Sequence, residues 1–146
     1  MGKKRRAPPP SFMTAQPHKG FVQMFNDQLD SPAFKSLSSV ARSIYLILRQ
    51  QYKGGYTGND IICPYTTFIE NGISRNSIPD NLHMLEAMGF ITYEHGGLYH
   101  IPNLYHFTSD WKNIRSIEEG RLIRKKLTEE KKENRQADKS AVDNSD

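Results

Sequence analysis

The sequence predicts a mainly α-helical α+β fold, with a three-helix core and a small antiparallel sheet. Two observations carry this prediction. Apolar residues recur at three- and four-residue steps in successive segments, and β-prone runs precede the second segment and follow the third. Glycines stand at the ends of these segments, where they stop a helix. The 146 residues fit one domain with two tails.

The first core helix is predicted over residues 39–52, with Ser38 or Ser39 as its N-cap. Its apolar residues form one stripe along the helix: Val40, Ala41, Ile44, Tyr45, Ile47, Leu48 and Tyr52. Four aromatic residues outside this helix are expected to seal the small core, and the alternative is that they form an exposed surface for a partner: Phe21, Phe25, Phe34 and Trp111.

The second helix is predicted over residues 65–71, after a short β-prone run at residues 61–63 that Pro64 ends. Gly72 follows directly, at the position where a helix C′ residue needs a positive φ. A tight turn therefore leads from the second helix to the third.

The third helix is predicted from Ser77 to Gly89. Ser77 is preferred as N-cap because Asp80 then completes a capping box and Pro79 stays in the first turn, where its missing N–H breaks no helical bond. The buried face is expected to consist of Leu82, Leu85 and Met88, with polar residues of this helix facing outward.

A hairpin is predicted after the third helix, from β-prone runs at residues 89–94 and 98–101 on either side of Gly96-Gly97. Residues 103–111 add another strand or an irregular segment over the core. Strand, helix, turn, helix and hairpin in this order are typical of the winged helix-turn-helix, which places its third helix in the DNA major groove. The hairpin would be the β-wing.

Charge divides the chain into three predicted regions. Residues 1–19 carry five basic residues and no acid and form a disordered basic arm, whose first four cations are Lys3, Lys4, Arg5 and Arg6. Residues 20–114 form the winged helix-turn-helix domain, with six basic and eight acidic residues. Residues 115–146 form a charged tail, expected to be a solvated helix over residues 118–135 and disordered over its last ten residues.

The compartment is predicted from what the composition lacks. No apolar run approaches the ~20 residues of a membrane span. The basic start is followed by Ala7 and three prolines, which is unlike a secretory signal. A single cysteine, Cys63, fits a reducing environment. We expect a soluble cytoplasmic protein with no membrane partner.

The predicted DNA-reading surface lies on the third helix. Arg can reach guanine O6/N7, Asn can read adenine N6/N7, and the first residues of a recognition helix usually meet base edges. Arg75 and Asn76 are therefore the best candidates, and the alternative is that they are merely solvated. The remaining candidates are the helix residues Ser77, Asn81 and His83 and the arm residues Lys3, Lys4, Arg5 and Arg6. The arm would enter a minor groove or follow the phosphates, and the alternative is a tail that only keeps the protein in solution.

No catalytic or metal-binding motif is found in the sequence. A Gly-rich phosphate loop, HExxH and GxSxG are all absent. One cysteine with scattered histidines (Cys63, His95, His100 and His106) lacks the paired close ligands of a zinc site. The sequence predicts a protein that is not an enzyme and needs no cofactor or metal.

Two sequence blocks resemble a known family. The first runs from Leu29 through Asp-Ser-Pro-Ala-Phe34 to Arg42, and the second from Ile73-Ser-Arg-Asn76 through Leu85 to Gly89-Phe-Ile91. Over residues 21–114 they resemble winged-helix proteins of plasmids, conjugative elements and prophages of Gram-positive bacteria. The resemblance implies binding of double-stranded DNA by a small replication-initiator, regulator or relaxosome-accessory protein.

Three functions stay open. The chain is a transcriptional regulator or replication or transfer accessory factor, a part of a replication initiator, or a protein-interaction module that has kept the fold without binding DNA specifically. The acidic balance of residues 20–114 favours the last. Replication or transfer proteins would be partners of the first two. Homodimerisation through residues 116–135 also stays open, although their apolar stripe is sparse for a heptad seam.

Overall fold

The computed structural model describes residue 2 and residues 20–52, 60–96 and 102–143. Most of this part of the chain is helical, and a three-stranded antiparallel sheet accompanies the helices, as the α+β prediction requires. The helices and strands are α1 (Asn26–Leu29), α2 (Pro32–Ser36), α3 (Ser39–Gln51), β1 (Ile61–Ile62), α4 (Tyr65–Glu70), α5 (Ile78–Ala87), β2 (Ile91–Glu94), β3 (Leu104–Phe107) and α6 (Ile117–Asp143). Single 3-10 turns precede α5 and α6, at Arg75–Ser77 and Asp110–Asn113.

The three predicted core helices are confirmed as α3, α4 and α5. Ser38 caps α3, because its Oγ accepts a hydrogen bond from the Ala41 N–H at 3.0 Å. Ser31 caps α2 in the same way, accepting from the Phe34 N–H at 3.1 Å. Side-chain caps thus define where α2 and α3 begin, whereas α4 and α5 begin without one.

The sheet has the order β1-β3-β2, so the strand that comes last in the sequence lies in the middle. Glu94 pairs with Leu104, and Tyr105 pairs with both Ile61 and Tyr93. The strand that pairs with β2 therefore lies within residues 103–111, where a further strand is one of the two expectations, and the predicted pairing of β2 with residues 98–101 is wrong. The expected strand at residues 98–101 lies outside the described residues.

Phe90 is the centre of an aromatic cluster between the helices and the sheet. Its ring stacks on Trp111 at 6.1 Å and meets Phe34 and Tyr45 edge to face. The expectation that four aromatics seal the core holds for Phe34 and Trp111 only. The other two lie in the segment before α2 and are exposed: Phe21 and Phe25.

Gly89 allows the chain to pass closely between α5 and β2. It has a φ of 82°, and its carbonyl accepts hydrogen bonds from the Trp111 N–H at 3.1 Å and the Thr108 hydroxyl at 2.6 Å. A Cβ at this position would stand 2.5 Å from the Asp110 carbonyl carbon and from the Trp111 nitrogen. Only glycine meets both conditions.

The C-terminal helix α6 begins on the surface of α2. Ser116 accepts a hydrogen bond from the Glu119 N–H at 3.2 Å, and Gly120 packs directly on Ser36. From there α6 continues to Asp143, so the expected disorder of the last ten residues is wrong for residues 137–143. Alanine and lysine at these positions favour helix. None of the described helices combines the length and the apolar composition of a membrane span.

Candidate nucleic-acid interface

Helices α4 and α5 are joined by a short turn, in the manner of a helix-turn-helix. Gly72 has a φ of 85°, and its N–H donates to the Ile69 carbonyl at 2.9 Å, which confirms the predicted C′ position. The Ile73 N–H donates to the Phe68 carbonyl at 3.1 Å, and Ile73 is buried. The turn is thereby anchored in the core, and it presents the residues that follow it at the surface.

Arg75 and Asn76 lie in the 3-10 turn that leads into α5, and both are exposed. Within the described part of the chain, their side chains make no hydrogen bond or ion pair. These are the two candidates that the sequence ranks first, and the structure leaves both guanidinium and amide available to a ligand.

Ser77 does not cap α5 as predicted. Its backbone is helical, with φ −88° and ψ −13°, whereas a capping residue is extended. The hydroxyl donates instead to the Ser74 carbonyl at 2.7 Å, and no side-chain cap bond forms. The capping box with Asp80 is therefore wrong, because the 3-10 turn already supplies the backbone geometry that leads into the helix.

Asn81 faces the core rather than the outside, so its predicted outward position is wrong. Asn81 is 9% exposed, and its side chain bonds both to the residue before its own helix and to the N-cap of α3. The amide nitrogen donates to the Ser77 carbonyl at 2.6 Å, and the amide oxygen accepts from the Ser38 hydroxyl at 2.6 Å. Asn81 therefore links α5 to the N-cap of α3, and both polar atoms of its amide are engaged within the protein.

Asn81→Ala is expected to lower the free energy of unfolding by about 1–3 kcal/mol, because the Ser38 hydroxyl loses a buried partner. Asn76→Ala is the control, since Asn76 is an exposed asparagine and should change stability by less than about 0.5 kcal/mol. Urea denaturation of the two variants measures the difference. Equal stabilities would show that the Ser38–Asn81 bond contributes nothing.

His83 lies beside the sheet on the exposed side of α5. Its ring meets Tyr93 edge to face at 6.1 Å, and Tyr93 stacks on Tyr105 at 5.8 Å. Burial and the nearby Glu86 carboxylate raise the pKa of Tyr93 to about 12. The phenol therefore stays neutral and able to donate a hydrogen bond at physiological pH.

The charge of α5 is unusual for a helix that faces phosphates. Residues 78–87 include Asp80 and Glu86, both exposed, and no Lys or Arg. Arg75, in the preceding turn, is the nearest cation along the chain. Helix α5 by itself therefore offers no basic side chain that could bind a phosphate.

Helix α6 passes along the outer face of α5. A groove of about 580 Å³ separates the two helices, and Lys131 forms an ion pair with Asp80 across it. The basic groove residues on α6 are Arg124, Lys131 and Arg135. Sequence reasoning missed this contact because it treated the tail as solvated. The one local signal was Gly120, a residue that disfavours helix inside a run that otherwise favours it.

The other predicted site residues are not brought to this surface. Lys3, Lys4, Arg5 and Arg6 lie outside the described residues. Cys63 is buried, and burial raises the pKa of its thiol to about 11. His106 pairs with Asp60 at 3.0 Å. Among the described residues, no three His, Cys, Asp or Glu side chains cluster around a common point.

Comparison of the chain with models of protein families, with curated proteins and with solved structures finds no match. Function is therefore inferred from the residues and contacts of this chain.

Proposed function

We propose that this chain is a winged helix-turn-helix protein that binds double-stranded DNA. Its role is that of a transcriptional regulator, or of a replication or transfer accessory factor, in a bacterial mobile element of the kind that its two sequence blocks resemble. Arg75 and Asn76 read bases, and the arm with Lys3, Lys4, Arg5 and Arg6 adds affinity through phosphates.

One observation carries the proposal: the order of elements together with the order of strands. A helix (α3), a short strand (β1), two helices joined by a tight turn (α4 and α5), and two further strands follow one another, and the sheet is ordered β1-β3-β2. In this arrangement β2 contacts α5, and the residues that lead into α5 remain at the surface. Arg75 and Asn76, exposed at that start, are suited to base edges.

A protein-interaction module is the second candidate, and a specific observation favours it. The outer face of α5 bears Asp80 and Glu86, and α6 runs along it. An acidic, partly covered helix is a poor partner for DNA phosphates unless another element supplies positive charge. This module would use the fold for protein contacts alone.

The decisive experiment first selects a target and then tests its dependence on the turn before α5. The full chain is used to enrich duplexes from a randomised pool, and affinity for the enriched duplex is measured by fluorescence anisotropy. Arg75→Ala/Asn76→Ala is compared with Asn113→Ala/Arg115→Ala. The control removes the same two residue types, both exposed, from the segment that leads into α6.

The turn variant is expected to raise the Kd for the enriched duplex by about tenfold or more, since one good base contact is worth about 1–3 kcal/mol. The control should stay within about twofold of the unmodified chain, as expected for exposed residues away from the interface. Failure to enrich any duplex, or equal losses in the two variants, would contradict base reading by Arg75 and Asn76 and favour the interaction module.

A further inference from the structure

The basic residues of α6 lie along one side of the helix. An α-helix turns by ~100° per residue, so residues separated by three, four or seven positions share a face. On this basis seven of the eight Lys and Arg residues of α6 fall within an arc of about 120°. We call these residues the basic stripe: Arg121, Arg124, Lys125, Lys131, Lys132, Arg135 and Lys139.

The opposite side of α6 is acidic. Glu119, Glu130 and Glu133 project there, Glu130 also lines the groove along α5, and Lys126 is the one basic residue of the helix found among them. Glu129 lies between this side and the basic stripe. Asp138 and Glu118 stand at the edges of the basic stripe, and Asp143 comes after its last member. The basic residues of α6 are thus gathered on one side, whereas its acidic residues occupy the opposite side and the edges of the basic stripe.

The cations of the basic stripe are largely uncommitted. All are exposed except Lys131, which is half-buried beside α5. Lys131 pairs with Asp80, and within the described ranges it is the only member of the stripe held in an ion pair. A helix of alternating charge would use such cations in i,i+4 pairs along its own surface, and here none of those pairs forms between described residues.

The basic stripe runs beside the helix that lacks positive charge. Arg124, Lys131 and Arg135 line the groove along α5. Two acids of α6, Glu130 and Asp138, line it as well, and the other members of the basic stripe continue onto the adjacent solvent side of the helix. From Arg121 to Lys139 the stripe extends about 27 Å along the helix axis. The ion pair with Lys131 also neutralises Asp80, one of the two carboxylates that would repel phosphates from α5.

We infer that the basic stripe of α6 is a phosphate-binding surface of this protein in addition to the N-terminal arm, and that its partner is the backbone of double-stranded DNA. The inference rests on the proposed function and adds to it the source of affinity that α5 cannot supply. The basic stripe gathers cations on one side of α6, most of them outside ion pairs, and it is long enough to follow several nucleotides of a DNA backbone. The base edges are read by Arg75 and Asn76.

Lys132→Glu and Lys126→Glu test the inference as a matched pair. Both residues are exposed lysines on α6, the two changes alter net charge equally, and only Lys132 belongs to the basic stripe. Binding of the full chain to a random-sequence duplex is titrated at several salt concentrations. Circular dichroism confirms that both variants keep the helix content of the unmodified chain.

Lys132→Glu is expected to weaken duplex binding about tenfold at low salt and to reduce the slope of log K against log salt by ~0.9, the value for one lost phosphate contact. Lys126→Glu should change affinity by less than about twofold, since an exposed charge away from the interface has little effect. Replacement of Lys125, Lys132 and Lys139 together by Gln should reduce this slope by up to ~2.7 in total, the value for three lost phosphate contacts.

Equal effects of the two single changes would overturn the inference, because net charge rather than position would then govern binding. If duplex binding is lost on replacing Arg75 and Asn76 but is unchanged in the variants of the basic stripe, the inference is overturned and the proposed function stands. A chain that binds no duplex at any salt overturns both. Loss of self-association in Lys132→Glu, with duplex binding unchanged, would instead assign the stripe to the acidic face of a second copy.

Discussion

Gly89→Ala is expected to lower the free energy of unfolding by about 3 kcal/mol or more. A positive φ costs an alanine about 1–2 kcal/mol, and overfilling a packed site costs about 1–3 kcal/mol. Both penalties apply at Gly89, where an added Cβ would stand 2.5 Å from backbone atoms of Asp110 and Trp111. Backbone cannot move aside as the end of a side chain can, so the 3-10 turn at Asp110–Asn113 must separate from the α5–β2 junction.

Trp111 reports this separation directly. It is the only tryptophan of the chain and stacks on Phe90, one residue after Gly89. Urea unfolding followed by tryptophan fluorescence gives the loss of stability, and a shifted emission of the folded variant would reveal the displaced turn.

Gly72→Ala is the control for Gly89→Ala. Gly72 has a comparable φ of 85°, but nothing stands within 4 Å of the position of its Cβ. Gly72→Ala should therefore lower the free energy of unfolding only by the cost of a positive φ, about 1–2 kcal/mol. Equal losses at the two glycines would show that the close backbone approach at Gly89 adds no constraint.

Gly120→Ala is expected to detach α6 from α2 without unfolding either helix. Alanine favours helix over glycine by about 1 kcal/mol, so local propensity alone would strengthen α6. The added Cβ, however, would overlap the Ser36 hydroxyl and stand 2.6 Å from the Ser36 Cβ. Detachment should also break the Lys131–Asp80 pair and open the groove along α5.

Hydrogen exchange measures the detachment. Backbone amides of residues 121–131 should exchange on the order of tenfold faster or more, since a helix without tertiary support is marginally stable. Ser36→Gly in the same chain should restore protection by removing the overlapping atoms, with Ser36→Gly alone as the reference. Unchanged exchange in Gly120→Ala would mean that the two helices are not held together at this contact.

Local signals were sufficient for the helices of the core. The apolar stripe of α3, the serine before it and the glycine after α4 each act within a few residues, so sequence reveals them. The same holds for exposed Arg75 and Asn76, because they follow a turn that Gly72 fixes.

Contacts between distant parts of the chain were not visible in the sequence. A polar residue on a helix is expected to face outward, and only the arrival of Ser38, far earlier in the chain, gives Asn81 a buried partner. Residues 98–101 and 104–107 are both β-prone, so propensity could not identify which run pairs with β2. The docking of α6 depends on the fit of Gly120 to Ser36, a match between surfaces that no periodicity encodes.

The β1-β3-β2 strand order has a consequence for how the chain folds as it is synthesised. β1 and β2 do not pair with each other, so both lack partners until β3 has left the ribosome. The pairing of β1 with β3 is the slower one, because a long stretch of chain must close first, whereas β2 and β3 are neighbours in the sequence. The helices α3, α4 and α5 can therefore assemble early, while the sheet needs residues up to Phe107. A nascent chain stalled before Leu104 would have all its core helices and no sheet to close them.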